Sequence, residues 1–228
     1  MIEFKDVTMV YDAADAPALN GINLRIEDGE FVFIIGDSGA GKTTLTKLLM
    51  REEKATDGRI TVGDFRLDKL PRRKVPYLRR TMGVVFQDFR LFPNMTVYEN
   101  VAFAMRVVGE KNSVIKKRVP YFLTLMGLTD KADRFPGEIS GGEQQRVAFA
   151  RAIANNPKIV IADEPTGNVD PKMSRELMEL LVGINKLGKT VIVVTHDHEL
   201  VNQYKKRTIT LREGSIVSDK IGGGVHEA

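Results

Sequence analysis

The chain has 228 residues, 28% of them charged and 43% hydrophobic, with a formal net charge of +4. At this length a chain buries about 70% or more of its unfolded surface, so a substantial core is available. Cysteine is absent, which excludes disulfides, thiolate nucleophiles and cysteine-held metal centres, and His196, His198 and His226 are too few and too clustered for a histidine-rich metal site.

Residues 1–30 read as half-buried antiparallel strands, because Ile2-Glu3-Phe4-Lys5 and Leu24-Arg25-Ile26-Glu27 alternate apolar and polar side chains. No basic region followed by a long apolar stretch opens the chain, and no apolar run approaches the ~18 residues of a membrane span. The expectation is a soluble, cytoplasmic protein. Continuous β-branched runs then recur at Phe31–Ile35, Met82–Phe86, Ile159–Ala162 and Thr190–Thr195, as strands covered on both faces should read. Between them lie helical periods: Leu45, Leu48 and Leu49 after Lys42, and Met173, Leu177, Leu180, Leu181 and Ile184 in the stretch Lys172–Leu187. Strands alternating with helices predict a parallel α/β sheet. Residues 89–138 interrupt the strand series and read as mainly helical, with Thr96-Val97-Tyr98-Glu99 as a capping box. The tail Gly222-Gly223-Gly224 is expected to be flexible.

Gly36-Asp37-Ser38-Gly39-Ala40-Gly41-Lys42-Thr43 lies between the strand Phe31–Ile35 and the Leu45 helix. That is the P-loop pattern in its required strand–loop–helix setting. Backbone N–H groups and the helix N-terminus suit phosphate oxygens, Lys42 suits the β- and γ-phosphates, and the Thr43 hydroxyl suits Mg²⁺. Ile159–Ala162 runs into Asp163-Glu164, two carboxylates at the carboxyl end of a buried strand, where ligands bind parallel sheets. Asp163 suits a Mg²⁺ shell, and Glu164 can orient or deprotonate a water. Ser140-Gly141-Gly142-Glu143 precedes the helix Gln144–Asn155, which Asn156-Pro157 ends. Ser140 and Glu143 form a capping-box signature, yet two glycines in a first turn each cost ~1 kcal/mol against alanine. A phosphate approaching the backbone closely accounts for them, so one chain carries two phosphate-binding helix starts and each nucleotide is expected to be held by two subunits.

These residues resemble the ATP-binding-cassette (ABC) ATPases along nearly the whole chain. Gly36–Thr43 matches the Walker A motif, Ile159–Asp163 followed by Glu164 the Walker B motif, and Gln87 the Q-loop. Ile139-Ser140-Gly141-Gly142-Glu143 matches the family signature, departing from its commonest form at Ile139 and Glu143. Asn168-Val169-Asp170 stands at the D-loop, His196 at the switch histidine, and Tyr11 where the family stacks an aromatic ring on adenine.

The resemblance implies an α/β fold with a P-loop NTPase core (RecA-like, mostly parallel sheet), an N-terminal antiparallel β-subdomain and an α-helical insert. Residues 1–88 and 139–228 would form the core and residues 89–138 the helical subdomain. ATP would be held by Tyr11, Gly36, Asp37, Ser38, Gly39, Ala40, Gly41, Lys42, Thr43 and Thr44. Across a head-to-tail homodimer, Ser140, Gly141, Gly142 and Glu143 would reach the nucleotide of the other copy, with Asp170 in the D-loop. Thr43, Gln87 and Asp163 would hold Mg²⁺, and Glu164, His196 and Gln87 would serve hydrolysis.

A narrower similarity lies in Glu143-Gln144-Gln145-Arg146, Glu164–Asn168 and Val84–Leu91 continuing to Phe103. It points to the subgroup of lipoprotein-release, macrolide-export and cell-division ATPases, and most to the last. That implies an integral membrane partner of the FtsX kind, indirect control of extracytoplasmic peptidoglycan hydrolases, and a place on the cytoplasmic face of the membrane. The alternatives are the ATPase of a lipid, lipoprotein or drug exporter, and a nucleotide-gated clamp with incidental turnover. Phe89, Leu91, Phe92, Met95, Tyr98, Phe103 and Met105 are expected to be mostly core, with some lining a partner groove. The basic clusters Arg72–Lys74, Arg79–Arg80, Lys116–Arg118 and Lys205–Arg207 read as mostly solvated faces, and nothing favours nucleic acid.

Overall fold

The computed structural model describes residues 1–12, 16–167 and 169–222; Asn168, Gly223, Gly224 and His226 lie outside them. In chain order the elements are β1 (Ile2–Met9), β2 (Leu19–Ile26), β3 (Phe31–Ile35), α1 (Lys42–Leu49), β4 (Asp57–Val62), β5 (Phe65–Arg66), α2 (Val75–Arg79) and β6 (Met82–Val85). There follow α3 (Val97–Val107), α4 (Asn112–Leu125), α5 (Gly141–Ile153), β7 (Ile159–Asp163), α6 (Pro171–Lys186), β8 (Thr190–Thr195), α7 (His198–Tyr204), β9 (Arg207–Arg212) and β10 (Ser215–Lys220). Two compact units emerge, residues 1–79 with 185 onward, and residues 80–184. Among the described residues no helix is long and apolar enough to cross a membrane.

In the first unit β2, β1, β4 and β5 form an antiparallel sheet in that order. The alternation in β1 buries Ile2, Phe4, Val7 and Met9. Two residues separate Phe4 from Val7 because the register slips there, and Asp6 takes a positive φ of 49°. That bulge returns Val7 to the core side, which strict alternation would have given to Asp6. The same unit holds β3 between two parallel partners, Phe31 opposite Val191 on β8 and Val32 opposite Arg207 on β9. Every residue of β3 and β8 is buried, as their unbroken apolar runs required. Arg207 is no solvated charge: its guanidinium bonds Asp219 on β10 at 2.7 and 2.8 Å and Glu30 at 2.9 and 3.0 Å. Its hydrogen bonds to Asp219 lead the causes that push its pKa up, ahead of Glu30 and against burial. Arg79 stays exposed, as expected of its cluster, while donating to the Met50 carbonyl at 3.0 Å.

The second unit pairs β6 with β7 in parallel, Met82 opposite Ile159 through Val85 opposite Ala162. Helix α5 lies so close to β6 that a Cβ at Gly83 would stand 2.2 Å from the Ala152 carbonyl oxygen. Helix α3 packs on α4 and α5. Its expected capping box forms: Thr96 accepts from Glu99 N at 3.2 Å, and Glu99 accepts from Thr96 N at 2.9 Å. Of the aromatic and methionine positions between 89 and 105, Met105 is fully buried and Phe92 is exposed, its ring edge-on to Phe103 at 4.7 Å.

Candidate functional site

In the first unit the buried strand β3 delivers the chain into the loop Gly36–Gly41, and α1 begins at Lys42. Gly41 stands at the N-cap with φ 104° and contributes no side chain, so the first N–H groups of α1 have no side-chain cap. A helix start left without such a cap is a ready anion cradle. Gly41 has a second reason to be glycine, since a Cβ there would lie 2.6 Å from the Ala18 carbonyl oxygen. The Lys42 ammonium folds back over the loop, donating to the carbonyls of Gly36 and of Asp37, the latter at 3.1 Å. Asp37, Ser38, Gly39 and Thr43 are exposed, while Ala40 and Thr44 are buried. The Tyr11 hydroxyl lies 3.4 Å from the Thr44 hydroxyl, which sets that ring beside the first turn of α1. His196 follows β8 directly and is exposed; the Thr195 hydroxyl accepts from Asp197 N at 3.0 Å, and Asp197 caps α7.

In the second unit β7 ends on Asp163, half-buried, and Glu164 follows with φ 46°. A left-handed backbone is uncommon at a residue with a Cβ, and such residues gather at functional sites. Glu164 opens a turn in which its carbonyl accepts from Gly167 N at 3.3 Å, and the Pro165 carbonyl accepts from the buried Gln145 amide at 2.9 Å. Gln87, exposed, sits inside another turn, Phe86–Phe89, closed by Phe89 N donating to Phe86 O at 3.0 Å. Phe89 and Arg90 both take positive φ, 59° and 47°, and the Arg151 guanidinium donates to their carbonyls at 2.7 and 2.6 Å. Burial, chiefly, pulls the Arg151 pKa down.

The signature segment opens α5. Ser140 accepts from Glu143 N at 3.3 Å and donates from both its N–H (2.8 Å) and its hydroxyl (3.0 Å) to the Glu143 carboxylate. The Ser140 N–H is the main reason the Glu143 carboxyl stays below its usual range, helped by the Ser140 hydroxyl, Lys131 and Arg146 and opposed by burial. Gly141 and Gly142 are not among the positive-φ glycines; a Cβ at Gly141 would meet nothing within 4 Å, and one at Gly142 only Met173 Cε at 3.6 Å. Asp170 caps α6, accepting from the N–H groups of Lys172 at 2.9 Å and Met173 at 3.0 Å.

Lys42, Tyr11 and His196 thus belong to one unit, and Gln87, Asp163, Glu164, Asp170 and the signature to the other. No motif in the sequence singles out a role for Gln145 or Arg151. Gln145 had a signal: it heads the i, i+3, i+4, i+7 stripe continued by Ala148, Phe149 and Ala152, where a polar side chain needs a buried partner. Arg151 had none, because its acceptors lie far away in sequence.

The family model described as ABC transporter matches residues 19–167. The cell division ATP-binding protein FtsE of Bacillus subtilis (strain 168) is 52% identical over 223 residues, covering 98% of this chain and 97% of that protein. Two solved structures of the bacterial ABC transporter cassette MJ0796 cover 98% of this chain and 100% of theirs. One, a dimer, superposes with a TM-score of 0.91 at 37% identity. The other, a dimer in a post-hydrolysis state bound to ADP and Pi, gives 0.90 at 36%.

Proposed function

The chain belongs to the ABC transporter family and is an ATPase with the ABC ATPase fold, and from that premise we propose that it powers a cell-division machine. In this reading it closes on ATP as a head-to-tail homodimer and drives a shape change in an integral membrane partner of the FtsX kind. That partner in turn controls peptidoglycan hydrolases outside the membrane, and the ATPase works at the cytoplasmic face. The relatives named as cell division ATP-binding proteins support the setting, and the dimeric cassettes support the assembly. The observation that carries the reading is the glycine pair at the head of α5. Neither Gly141 nor Gly142 is needed by the packing or backbone of its own chain, yet each costs ~1 kcal/mol of helix stability. A phosphate held by a second copy gives both a use, since only glycine allows the closest backbone approach.

The proposed chemistry follows from the residues. The uncapped N-terminus of α1 and the backbone of residues 36–43 wrap the phosphates, and Lys42, already held over the loop, neutralises them. Tyr11 faces the adenine. Thr43, Gln87 and Asp163 offer a hydroxyl, an amide and a carboxylate, the all-oxygen donor set that suits Mg²⁺, and they would hold it. When bound, Mg²⁺ offsets the charge of the β- and γ-phosphate oxygens. Glu164 accepts the proton of the attacking water, and His196 hydrogen-bonds the γ-phosphate. Ser140, Gly141, Gly142 and Glu143 of the second copy complete the enclosure, and Asp170 lies at the dimer contact. Residues 89–138 act as the helical subdomain that meets the membrane partner, with the exposed Phe92 as its contact.

Co-purification from membranes tests the partner. Tagged wild-type chain is expected to recover an integral membrane protein with a large extracytoplasmic loop, and Phe92→Asp to lose it while still binding ATP. Recovery of a lipid, lipoprotein or drug exporter instead would overturn the cell-division role, and full recovery with Phe92→Asp would move the contact.

A further inference from the structure

Helix α5 does more than present the signature at its N-terminus. Two of its side chains grip the two turns on which the hydrolytic residues of the same unit stand. Gln145, only 2% exposed, donates its amide at 2.9 Å to the Pro165 carbonyl, the residue directly after Glu164. Arg151, six residues on and about 9 Å further along the axis, donates to the Phe89 and Arg90 carbonyls at 2.7 and 2.6 Å. Those carbonyls belong to the left-handed residues that close the turn around Gln87. The Arg90 guanidinium stacks 3.9 Å over the Phe86 ring and pairs with Asp88 at 3.3 Å, so the turn is held from its outer side as well.

Neither turn is a low-energy conformation for its residues. Glu164, Phe89 and Arg90 all carry a Cβ at positive φ, and such backbone persists only where surrounding contacts over-determine it. Among the contacts that do so here, two come from one helix: the buried Gln145 amide and the half-buried Arg151 guanidinium. A guanidinium fork matches a pair of carbonyls in a way an ammonium does not.

We propose that Gln145 and Arg151 are positioning residues for ATP hydrolysis, fixing Glu164 and Gln87 respectively to the signature helix. When the signature engages the nucleotide of a second copy, any displacement of α5 is carried to both turns together. The inference rests on the reading of Glu164 as base and Gln87 as a nucleotide-site residue.

The test uses the full chain, alone and with its membrane partner, comparing Gln145→Leu, Arg151→Met and Arg151→Lys with Glu164→Gln. Phosphate release at saturating Mg-ATP, ATP affinity and melting midpoint are measured for each, at a temperature where circular dichroism shows every variant folded. Gln145→Leu and Arg151→Met are expected to lower kcat about 10- to 100-fold, with ATP affinity within about twofold of wild type. Arg151→Lys should fall between Arg151→Met and wild type. Unchanged kcat in folded variants overturns the proposal, as does a loss of kcat that only tracks the folded fraction. Should Gln145→Leu not fold, the Arg151 pair decides by the same criteria. Full turnover in Glu164→Gln removes the underlying reading of the base, a result separable from retained turnover in the α5 variants alone.

Discussion

Glycine serves two different ends in this chain, and single residues separate them. Gly36 and Gly41 look in the sequence like a phosphate loop, yet both also answer to packing: a Cβ at Gly36 would lie 2.2 Å from the Leu211 carbonyl oxygen, and one at Gly41 2.6 Å from that of Ala18. Gly141 has no such neighbour. Replacing Gly141 by alanine should therefore stabilise the isolated chain by about 0.5–1 kcal/mol, because a helix gains by losing a glycine. The same change should weaken ATP-dependent dimerisation, the trade expected where a residue is kept for binding rather than for folding. Thermal melting and sedimentation of the one variant check both signs; a destabilised Gly141→Ala chain, or one that dimerises as wild type, speaks against the argument. The glycines themselves were plain in the sequence. What each one faces was not, because Leu211 and Ala18 come from distant stretches of chain.

Elements were legible in proportion to the strength of their own pattern. The strands β3 and β8 have the bounds their β-branched runs predict, and α1 and α6 follow their leucine and methionine stripes. The short β5, α2 and α7 and the half-exposed β10 carry no comparable pattern and went unread. The start of α3 shows both cases within a few residues. Its capping box is local and visible, whereas Asn100, wholly buried, makes a network that no local rule reveals. Its amide nitrogen donates to the carbonyls of Phe92, Met95 and Thr96 at 3.1, 3.0 and 3.0 Å, and its oxygen accepts from Phe92 N at 2.8 Å. The loop entering α3 is thus pinned by one side chain. Asn100→Ala takes the side-chain partner from the Phe92 N–H and the Met95 carbonyl in this part-buried loop and should cost about 2–4 kcal/mol, a fall of roughly 5–15 °C in melting midpoint for a chain of this size. A shift of a degree or two would mean that water or a rearranged loop satisfies those groups.

At the scale of the molecule, the sequence carried the family through motifs spread over both units: the phosphate loop and His196 in one, Gln87, Glu164 and the signature in the other. The ties that Gln145 and Arg151 make inside the second unit were invisible there, since they depend on helix–turn packing rather than on spacing. The α5 start, read as a second phosphate-binding helix start, pointed beyond the chain to a second copy, and the cassettes it superposes on are dimers. In the proposed function this chain closes on ATP as a dimer and Glu164 then takes the proton of the attacking water. The measurement that tests it most directly combines sedimentation with phosphate release for Glu164→Gln and wild type, each with Mg-ATP and with the membrane partner present. Glu164→Gln is expected to bind ATP, accumulate as a dimer and release no phosphate above background, while wild type turns over. Phosphate release by Glu164→Gln at the wild-type rate, or an ATP-saturated variant that stays monomeric, would contradict it.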